Sequence, residues 1–437
     1  MSKPTTFLAP GRELTAVYSR KPVIVDDLLG GGGQGQVFRV RFDGGMFALK
    51  WYHRSYLPLD PTLRERLEKS IEAGPPNNQF WWPFELVISP QEPSFGYIMP
   101  LREPGFETLQ DFRSGRVKST FGAIILASFH LADSFLRLHS KGLCYKDISF
   151  GNVFFQPQSG EIRICDIDNV DVNGRAGAIM GTHGFIAPEV LRGEGAPSTQ
   201  TDLHSLAVML FQLLMNCNPL DGQRGLGPLD QAGLLRLYGL DPLFIFDPND
   251  RSNGPIPGDQ DSVVARWEMY PQYIRDLFTR AFTGGLRDPM NGRVRESEWR
   301  EAMAFLYDSL FSCNCCGAVT FYDLQLLRLN GGKLNPCWGC GNQPALPPRL
   351  RFGTHVVVLA SHSRLFCHHL SRQRGYDFEN PLGEMVDSPP GLKNLSAEKW
   401  VLKDPNGSFT EVPPGSVAPL ANGTKLFFGS AEGEVRM

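Results

Sequence analysis

Three polar residues, Asp147, Asn152 and Asp166, have the types and spacing that phosphoryl transfer requires. They lie in the stretches YKDISFGNVFF and IRICDIDNV, where short alternating apolar runs predict two strands that frame a loop. A carboxylate can orient an attacking hydroxyl and accept its proton, while an amide and a second carboxylate can hold metal ions against the phosphates. Asp147 is therefore the candidate base, and Asn152 and Asp166 are the candidate ligands for Mg²⁺ (or Mn²⁺).

A glycine-rich stretch and a lysine precede these three residues. GGGGQGQV satisfies the pattern G-x-G-x-x-G-x-V through Gly30, Gly32, Gly35 and Val37. Glycine backbone can approach phosphates closely because no side chain covers its N–H groups. Four consecutive glycines also suit a plain hairpin turn, so the stretch is informative only together with the strand MFALK that follows. Lys50 ends that strand, where it can reach the α- and β-phosphates of ATP.

The segment DPTLRERLEKSIEAG predicts a helix that begins near Asp60. Leu63 and Leu67 belong to its buried stripe, and Glu68 follows at the edge of that stripe. Glu65 points more nearly to the opposite face. We therefore favour Glu68 over Glu65 as the carboxylate that orients the strand lysine.

The run FGYIMPLR predicts the next strand and a connecting hinge. Its residues Met99, Pro100 and Leu101 are the candidates that hold adenine through backbone groups. Met99 is expected at the back of that pocket.

Composition excludes several classes of protein. The chain has 437 residues, 42% of them hydrophobic and 20% charged, which is ordinary for a globular protein. Its net charge of −3 argues against a nucleic-acid partner. The N-terminal stretch has no apolar core typical of a secretory signal, and the longest strongly apolar run, Leu206–Met215, is too short to span a bilayer. We expect a cytoplasmic protein with no membrane partner and nine cysteines in a reducing compartment.

In this order the motifs resemble the eukaryotic-type Ser/Thr protein kinase family, over roughly residues 20–310. GTHGFIAPEVL carries its A-P-E signature, and LRDPMNGRVRESEW resembles the segment whose Arg293 pairs with Glu189. TDLHSLAVMLFQLL resembles the buried helix whose Asp202 supports the catalytic loop. The resemblance implies a bilobal kinase fold, ATP and Mg²⁺ as cofactors, and transfer of the γ-phosphate to Ser or Thr of a protein substrate.

Four residues depart from the family pattern. Tyr145 and Lys146 replace the usual His and Arg before the base, and Ser149 replaces a lysine after it. Asp168 replaces the glycine of DFG, which we expect to put a second carboxylate near the metals. No Ser, Thr or Tyr lies between Asp168 and Gly181, so the segment offers no phosphorylation site. The enzyme is then either constitutively competent or controlled by a partner.

Two C-x-x-C-G stretches, separated by twenty residues, follow the kinase-like region. Thiolates from Cys313, Cys316, Cys337 and Cys340 can close tetrahedrally around Zn²⁺, and the glycines permit the tight turns. Cys315 could compete with its neighbours as a ligand. The spacing predicts a zinc ribbon with one structural zinc.

Short alternating runs between residues 347 and 437 predict a small all-β sandwich. The end of the chain resembles the last strands of forkhead-associated domains, which bind phosphothreonine peptides. Glu384 stands where their phosphate-binding arginine would fall, so we do not expect these loops to bind phosphopeptides.

The predicted architecture is α+β, with a kinase domain at 1–310, a zinc ribbon at 311–346 and a forkhead-associated-like sandwich at 347–437. This order resembles bacterial kinases of the tellurite-resistance-linked phosphorylation triads. The resemblance implies two partners, a von Willebrand A-domain protein and a metal-dependent protein phosphatase. The main alternative is a pseudokinase scaffold that binds nucleotide and docks partners; a small-molecule kinase on the same fold is less favoured, because A-P-E and its arginine are retained.

Overall fold

The computed structural model describes residues 7–174, 181–227, 229–361, 363–371 and 375–437. Its contacts divide the chain into two compact units. The first runs to Val263 and resumes over Leu277–Glu301, and the second comprises Val264–Asp276 and Ala302–Met437. This division falls before the predicted boundary at 310, and it keeps the predicted ribbon and the C-terminal strands in one unit.

Six strands of the first unit close into a barrel in the order β1-β2-β3-β4-β6-β5. They are β1 (Glu13–Ala16), β2 (Pro22–Gly31), β3 (Gly35–Phe42), β4 (Gly45–Tyr52), β5 (Glu85–Ile88) and β6 (Phe95–Met99). Asp43 and Gly44 join β3 to β4 with φ values of 47° and 78°, as the two-residue Asp-Gly hairpin turn requires. The resulting register pairs Val37 with Lys50, which brings the glycine-rich hairpin beside the lysine.

Shorter strands frame two loops of the same unit. They are β7 (Glu107–Thr108), β8 (Leu143–Cys144), β9 (Val153–Phe155), β10 (Ile162–Ile164) and β11 (Asp171–Val172). β9 and β10 form an antiparallel pair, and β8 pairs with β11. Asp147 therefore lies in the loop between β8 and β9, and Asp166 lies in the loop between β10 and β11. We call these the catalytic loop and the metal loop.

The helices up to residue 308 range in length from four to twenty residues. They are α1 (Leu63–Ala73), α2 (Leu109–Arg113), α3 (Phe121–Ser140), α4 (Pro188–Leu191), α5 (Thr199–Met215), α6 (Gln231–Leu235), α7 (Asp261–Met269), α8 (Gln272–Phe282), α9 (Gly284–Arg287) and α10 (Glu296–Asp308). Short 3₁₀ turns lie at Leu57–Leu59, Phe150–Asn152, Ile167–Asn169 and Gln223–Gly225, and a π-helical turn lies at Arg236–Leu240. A capping box of Ser198 and Thr201 begins α5, which is buried from Thr201 to Met215. Because α5 is buried on every side, it forms the core of this unit.

α3 is longer than the apolar run singled out in the sequence. By length and composition alone it could cross a membrane, since an 18-residue window has a mean hydropathy of 1.4. However, 67% of that window is buried inside the protein, as expected for a core helix.

The second unit contains a hairpin, two short helices and two antiparallel sheets. Its elements are β12 (Leu310–Ser312), β13 (Val319–Phe321), α11 (Leu324–Leu329), β14 (Arg349–Phe352), β15 (His355–Val358), β16 (Arg364–Leu365), α12 (Cys367–Leu370), β17 (Gly383–Asp387), β18 (Pro390–Asn394), β19 (Trp400–Lys403), β20 (Phe409–Val412), β21 (Val417–Ala418), β22 (Lys425–Phe428) and β23 (Ala431–Arg436). The sheets have the orders β15-β14-β23-β22-β19-β20 and β16-β17-β18-β21. Side chains of both sheets, including Leu350, Leu392 and Trp400, share one hydrophobic cluster.

Two features of this unit bear on the sequence expectations. Phe311 and Tyr322, which flank the first cysteine pair, pack in one cluster with Val358 of β15, so the cysteine segment has no core of its own. Glu384 lies within β17, opposite Arg364 and Lys393 of the neighbouring strands. It is therefore a strand residue, and the predicted position on a recognition loop is corrected.

Candidate active site

A cleft of about 760 Å³ opens beneath the β2–β3 hairpin, a volume typical of small-molecule sites. The residues predicted to bind the nucleotide line it, namely Gly30, Gly32, Gly35, Val37, Lys50, Met99, Pro100 and Leu101. Asp166 also contributes to its wall. The fold thus gathers on one surface residues that lie up to 136 positions apart in the chain.

The glycines of the hairpin have two different roles. A Cβ atom on Gly35 would lie 2.3 Å from the carbonyl oxygen of Trp51, so β3 can approach β4 here only with glycine. A Cβ on Gly30 or Gly32 would meet nothing within 4 Å, so packing does not require glycine at either position. The Gly32 N–H donates to the Gly35 carbonyl oxygen at 2.9 Å, and this bond would have to open before that N–H could bind a phosphate.

The base-binding end of the cleft contains residues that the sequence analysis did not name. Ala48 lies opposite Met99 across β4 and β6, and Phe154 packs against Trp81 with ring centroids 4.9 Å apart. Arg102 covers the other ring face of this pair at 5.5 Å from the Phe154 centroid. Ala48 could have been found from its place two residues before the strand lysine. Trp81 and Phe154 carry no comparable signal, because only the fold brings them together.

Lys50 is buried and surrounded by acceptors. Its Nζ atom lies 2.8 Å and 3.1 Å from the two carboxylate oxygens of Asp168, 3.3 Å from Asp166 and 2.9 Å from the Gln34 side-chain oxygen. Burial alone would lower the pKa of Lys50, but the charges of Asp168 and Asp166 raise it above its ordinary value. The lysine is therefore held as a cation by the metal loop.

The carboxylates of α1 do not provide this partner. Glu68 is 43% exposed and pairs with Arg64, while Glu65 pairs with Lys69. The residue that α1 does bury is Arg66, which continues the stripe of Leu63 and Leu67 at i+3 and i+4 spacing. The prediction that Glu68 orients the lysine is therefore corrected, because the buried stripe turns toward the arginine and away from Glu68.

Asp168 is fixed from three directions. Tyr52 donates its hydroxyl proton to one carboxylate oxygen at 2.8 Å, and Arg66 donates to the backbone carbonyl of Asp168 at 3.0 Å. Arg66 is itself anchored by a bidentate pair with Asp60, at 2.7 Å and 2.6 Å. Asp60 does not begin the helix as predicted, since Thr62 is the residue before its first turn. Lys50 is the fourth residue of this network. The Asp168 carboxylate therefore faces the lysine, whereas the sequence had led us to expect it beside the metals.

The catalytic loop presents Asp147 with two hydrogen-bond partners. The Thr182 hydroxyl donates to one carboxylate oxygen at 2.6 Å, and the Asn152 amide donates to the other at 3.2 Å and to the backbone carbonyl of Asp147 at 2.9 Å. Asp147 therefore accepts a hydrogen bond from a hydroxyl group, the contact that a base must make with an attacking alcohol before it takes the proton.

Asn152 and Asp166 fit the requirements of a divalent cation. Because the Asn152 NH₂ group is directed to Asp147, its amide oxygen stays available to a ligand. Partial burial and the neighbouring carboxylate of Asp168 raise the pKa of Asp166, against the opposing charge of Lys50. A divalent cation would relieve this crowding of negative charge, and oxygen donors are the ligands that Mg²⁺ prefers.

The buried carboxylate of Asp202 holds the catalytic loop in place. It accepts hydrogen bonds from the backbone N–H groups of Tyr145, at 2.6 Å, and Lys146, at 2.9 Å. Lys146 has a φ of 72°, a left-handed conformation that is costly for a residue with a side chain. The two hydrogen bonds offset that cost, and they position the base that follows.

Two of the unusual loop residues find specific partners. The Tyr145 hydroxyl donates to the carbonyl oxygen of Cys165, the residue before Asp166. Lys146 pairs with Asp171 at 3.0 Å, and both side chains are 3% exposed. Lys146 is thus engaged inside the protein and does not present a surface cation to a phosphorylated loop. Residues 175–180, half of the segment predicted to lack a phosphorylation site, lie outside the described residues.

The A-P-E glutamate and the late arginine pair as the sequence resemblance implied. Arg293 lies 2.8 Å from Glu189 and also donates to the carbonyl oxygen of Gln200 at 2.6 Å. The pair joins α4 to the segment before α10 and supports the start of α5.

Four thiols of the second unit converge on one point. The sulfurs of Cys313, Cys316, Cys337 and Cys340 all lie within 4.8 Å of one another. Backbone N–H groups, first that of Cys315, lower the pKa of Cys313 to about 6, which favours the thiolate that metals bind. Cys315 has an exposed thiol and lies outside this group of four. The donor set and its geometry fit a tetrahedral Zn²⁺ site.

A second group that could hold a metal by distance consists of Asp308, His368 and His369. His369 accepts a hydrogen bond from the Phe366 N–H at its Nδ1 atom, so its Nε2 atom carries the proton that it donates to Asp308 at 3.0 Å. That nitrogen has no lone pair left for a metal. His355 makes the same contact with the other oxygen of Asp308, so we interpret the group as a buried hydrogen-bond network.

The glycine hairpin, the buried Lys50 and the set of Asp147, Asn152 and Asp166 are the groups that phosphoryl transfer from ATP would require. Comparison with known proteins specifies the class further. Residues 112–236 match the protein kinase domain family. The chain is 27% identical over 370 residues to the DNA damage-responsive serine/threonine-protein kinase RqkA of Deinococcus radiodurans, covering 76% of this chain and 50% of that protein.

Other relatives are similar over shorter stretches. The protein kinase MCK1 of Saccharomyces cerevisiae is 28% identical over 174 residues, which are 38% of this chain and 46% of that protein. The protein kinase C delta type of Mus musculus is 37% identical over 89 residues, 20% of this chain and 13% of that protein. The chain thus spans about half the length of RqkA and MCK1. These matches confirm the predicted similarity to protein kinases over the residues that they cover.

The buried His139 makes the stability of the catalytic loop depend on pH. Its two ring nitrogens contact Asp202, at 3.0 Å, and Glu296. Burial alone would lower the pKa of His139, but these hydrogen bonds raise it to about 9. Since the folded-state pKa lies above the unfolded value of about 6.5, the stabilisation is complete below pH 6.5 and is lost as the pH rises through 9.

We therefore expect His139→Gln to lower the free energy of unfolding by about 2–3 kcal/mol more at pH 6 than at pH 10. Urea unfolding of both proteins at the two pH values measures this difference. His183→Gln, at an exposed position, is the control and should change stability equally at both. An equal loss for His139→Gln at pH 6 and pH 10 would contradict the assignment of the charge.

Proposed function

We propose that the protein is an ATP- and Mg²⁺-dependent kinase that transfers the γ-phosphate to Ser or Thr of a protein substrate. The observation that carries the proposal is that Lys50 and Asp166 line one cleft while the catalytic loop is joined to the metal loop beside it. The Cys165 N–H donates to the Asn152 carbonyl oxygen, and the Asn152 amide donates to Asp147. The kinase domain match and the serine/threonine kinases among its relatives support the same activity.

Each residue then has a stated task. Lys50, held charged by Asp168, binds the α- and β-phosphates, and the hairpin that carries Gly30 and Gly32 covers them. Asp147 orients the substrate hydroxyl and accepts its proton. Asn152 and Asp166 would hold Mg²⁺, which when bound neutralises charge on the phosphates. Met99, Pro100 and Leu101 would receive the adenine.

The alternative is a pseudokinase scaffold, and one feature favours it. Ser149 stands where a lysine would stabilise the charge that develops on the transferred phosphate. Nucleotide binding without transfer would then be the outcome. The intact set of base, lysine and metal ligands makes the active kinase the better supported proposal.

Transfer of labelled phosphate from ATP to a mixture of Ser and Thr peptides, with Mg²⁺ or Mn²⁺, tests this directly. Asp147→Asn should lower the rate by about 10²–10⁴-fold, the usual contribution of positioned proton transfer, while nucleotide affinity is kept. If the wild type and Asp147→Asn show the same negligible transfer but bind ATP equally, the scaffold is the correct function.

A second comparison tests which carboxylate orients Lys50. Asp168→Asn removes the buried partner and should lower kcat/KM by about 10²-fold, because the lysine loses its fixed position. Glu68→Gln, at an exposed position on α1, should stay within about twofold of the wild type, since no contact to the lysine is lost. Steady-state kinetics and nucleotide titration measure both. A loss for Glu68→Gln as large as that for Asp168→Asn would show that α1 rotates to supply its glutamate during the reaction.

We also propose that the four-cysteine group binds one structural Zn²⁺ in a zinc ribbon. The converging sulfurs support this. Because Phe311 shares one cluster with Val358, loss of the metal would also loosen that small core. Elemental analysis after purification without chelator should find one zinc per chain in the wild type and in Cys315→Ser. Cys337→Ser should lose the metal and lower the melting temperature of the second unit, with little effect on ATP affinity. Zinc far below one per wild-type chain would refute the site.

We also propose the protein's partners and its location, both from features of the sequence. The order of segments supports a forkhead-associated-like C-terminal domain and a phosphorylation triad with a von Willebrand A-domain protein and a metal-dependent phosphatase. The net charge of −3 supports the absence of a nucleic-acid partner. A cytoplasmic location is supported by the paired spacing of the cysteines, which is typical of metal ligands in a reducing compartment.

A further inference from the structure

The second unit contains a pocket of about 420 Å³ whose wall carries four arginines. We call it the arginine pocket, and its polar lining consists of Arg328, Arg349, Arg351, Arg436, Tyr322 and Thr354. None of these residues belongs to the nucleotide cleft, which lies in the first unit.

Strand pairing places three of the arginines on one face of the six-stranded sheet. Arg349 and Arg351 alternate along β14 with the fully buried Leu350. Arg436 of β23 lies directly opposite Arg349. Arg328 comes from the last turn of α11. The arginines therefore converge because of sheet register and helix position, although they are far apart in sequence.

The charges of the pocket are largely uncompensated. Arg436 pairs with Glu434 at 2.9 Å. Arg351 donates to the carbonyl oxygen of Gly353 at 2.7 Å, and Arg349 donates to that of Pro347 at 3.3 Å. Glu434 also lies opposite Arg351 across β14 and β23, but its carboxylate pairs with Arg436. Within the described part of the chain, Arg328, Arg349 and Arg351 make no ion pair, so the pocket keeps an excess of positive charge.

Such an arrangement is unfavourable for the protein alone. Like charges directly opposite each other on a sheet are destabilising, as are Arg349 and Arg436 here. The guanidinium group of Arg349 also lies over the Tyr322 ring, 5.3 Å from its centroid, and this contact restricts the orientation of its N–H donors. A bound anion with several acceptors would relieve the repulsion.

We propose that the arginine pocket binds a phosphate monoester. A phosphate carries about −1.5 to −2 charges and three acceptor oxygens, and it accepts bidentate hydrogen bonds from arginine, which matches three unpaired guanidinium groups. The Thr354 hydroxyl offers a further donor. The volume exceeds that of a bare phosphate, so it admits the group that carries it, either a phosphorylated protein residue or a small phosphate ester.

Fluorescence polarisation and calorimetry on the full chain test the proposal with three probes. These are a degenerate peptide library with a central phosphothreonine, its unmodified twin, and glycerol 3-phosphate. We expect phosphate-dependent binding that weakens with added salt. Tighter binding of the phosphopeptides identifies a protein source, and tighter binding of glycerol 3-phosphate identifies a small ester.

Variants locate the binding. Arg351→Gln and Arg328→Gln should each weaken it about tenfold or more, as the loss of a hydrogen bond to a charged group requires. Arg364→Gln, an exposed arginine of the other sheet, should leave it unchanged. Without ligand, Arg328→Gln should melt at the temperature of the wild type, because it loses no ion pair among the described residues. The proposal is overturned if the wild type shows no phosphate-dependent binding at physiological salt, or if both pocket variants bind as tightly as the wild type.

Discussion

The buried ion pair between Lys50 and Asp168 is the interaction on which the first unit depends. The two side chains are 7% and 2% exposed, and neither charge could stay in the interior without the other. The pair joins the barrel strand β4 to the metal loop. Tyr52 and Arg66 attach the same loop to β4 and α1, so the cleft floor and the barrel share one network.

Asp202 imposes a comparable constraint on the catalytic loop. Its carboxylate binds two consecutive backbone N–H groups and also His139, which continues to Glu296. This arrangement holds Lys146 in a left-handed conformation that it would not adopt alone. The departures from the family pattern are consistent with it: Tyr145 reaches the carbonyl oxygen before Asp166, and Lys146 is balanced by Asp171. Both replacements keep the two loops joined, by contacts inside the protein.

The second unit contains two candidate binding sites, one for a cation and one for an anion. Its cysteines gather donors for a cation, while the outer face of its six-stranded sheet gathers arginines for an anion. Both depend on the small cluster around Phe311, Tyr322 and Val358, because that cluster fixes the cysteine segment and α11 against the sheet. A loss of metal at the cysteines would therefore also disturb the wall of the arginine pocket.

The sequence by itself determined the groups whose spacing is local. Asp147 and Asn152 share one loop, the glycines share one hairpin, and the cysteines occur in two short knuckles, so residue type and separation were sufficient to name them. The strands β9 and β10 also followed from alternation of apolar residues, whereas β8 and β11, on the other side of the two loops, did not. By contrast, the partner of Lys50 was decided by tertiary structure. Glu68 and Asp168 are both carboxylates within reach in principle, and only the rotation of α1, set by the burial of Arg66 against Asp60, turns Glu68 to solvent. The arginine pocket could not be predicted from the sequence either, because its residues come from α11, β14 and β23 and meet only in the folded protein. Charge in a protein acts through space, and chain separation does not reveal those distances before the fold is known.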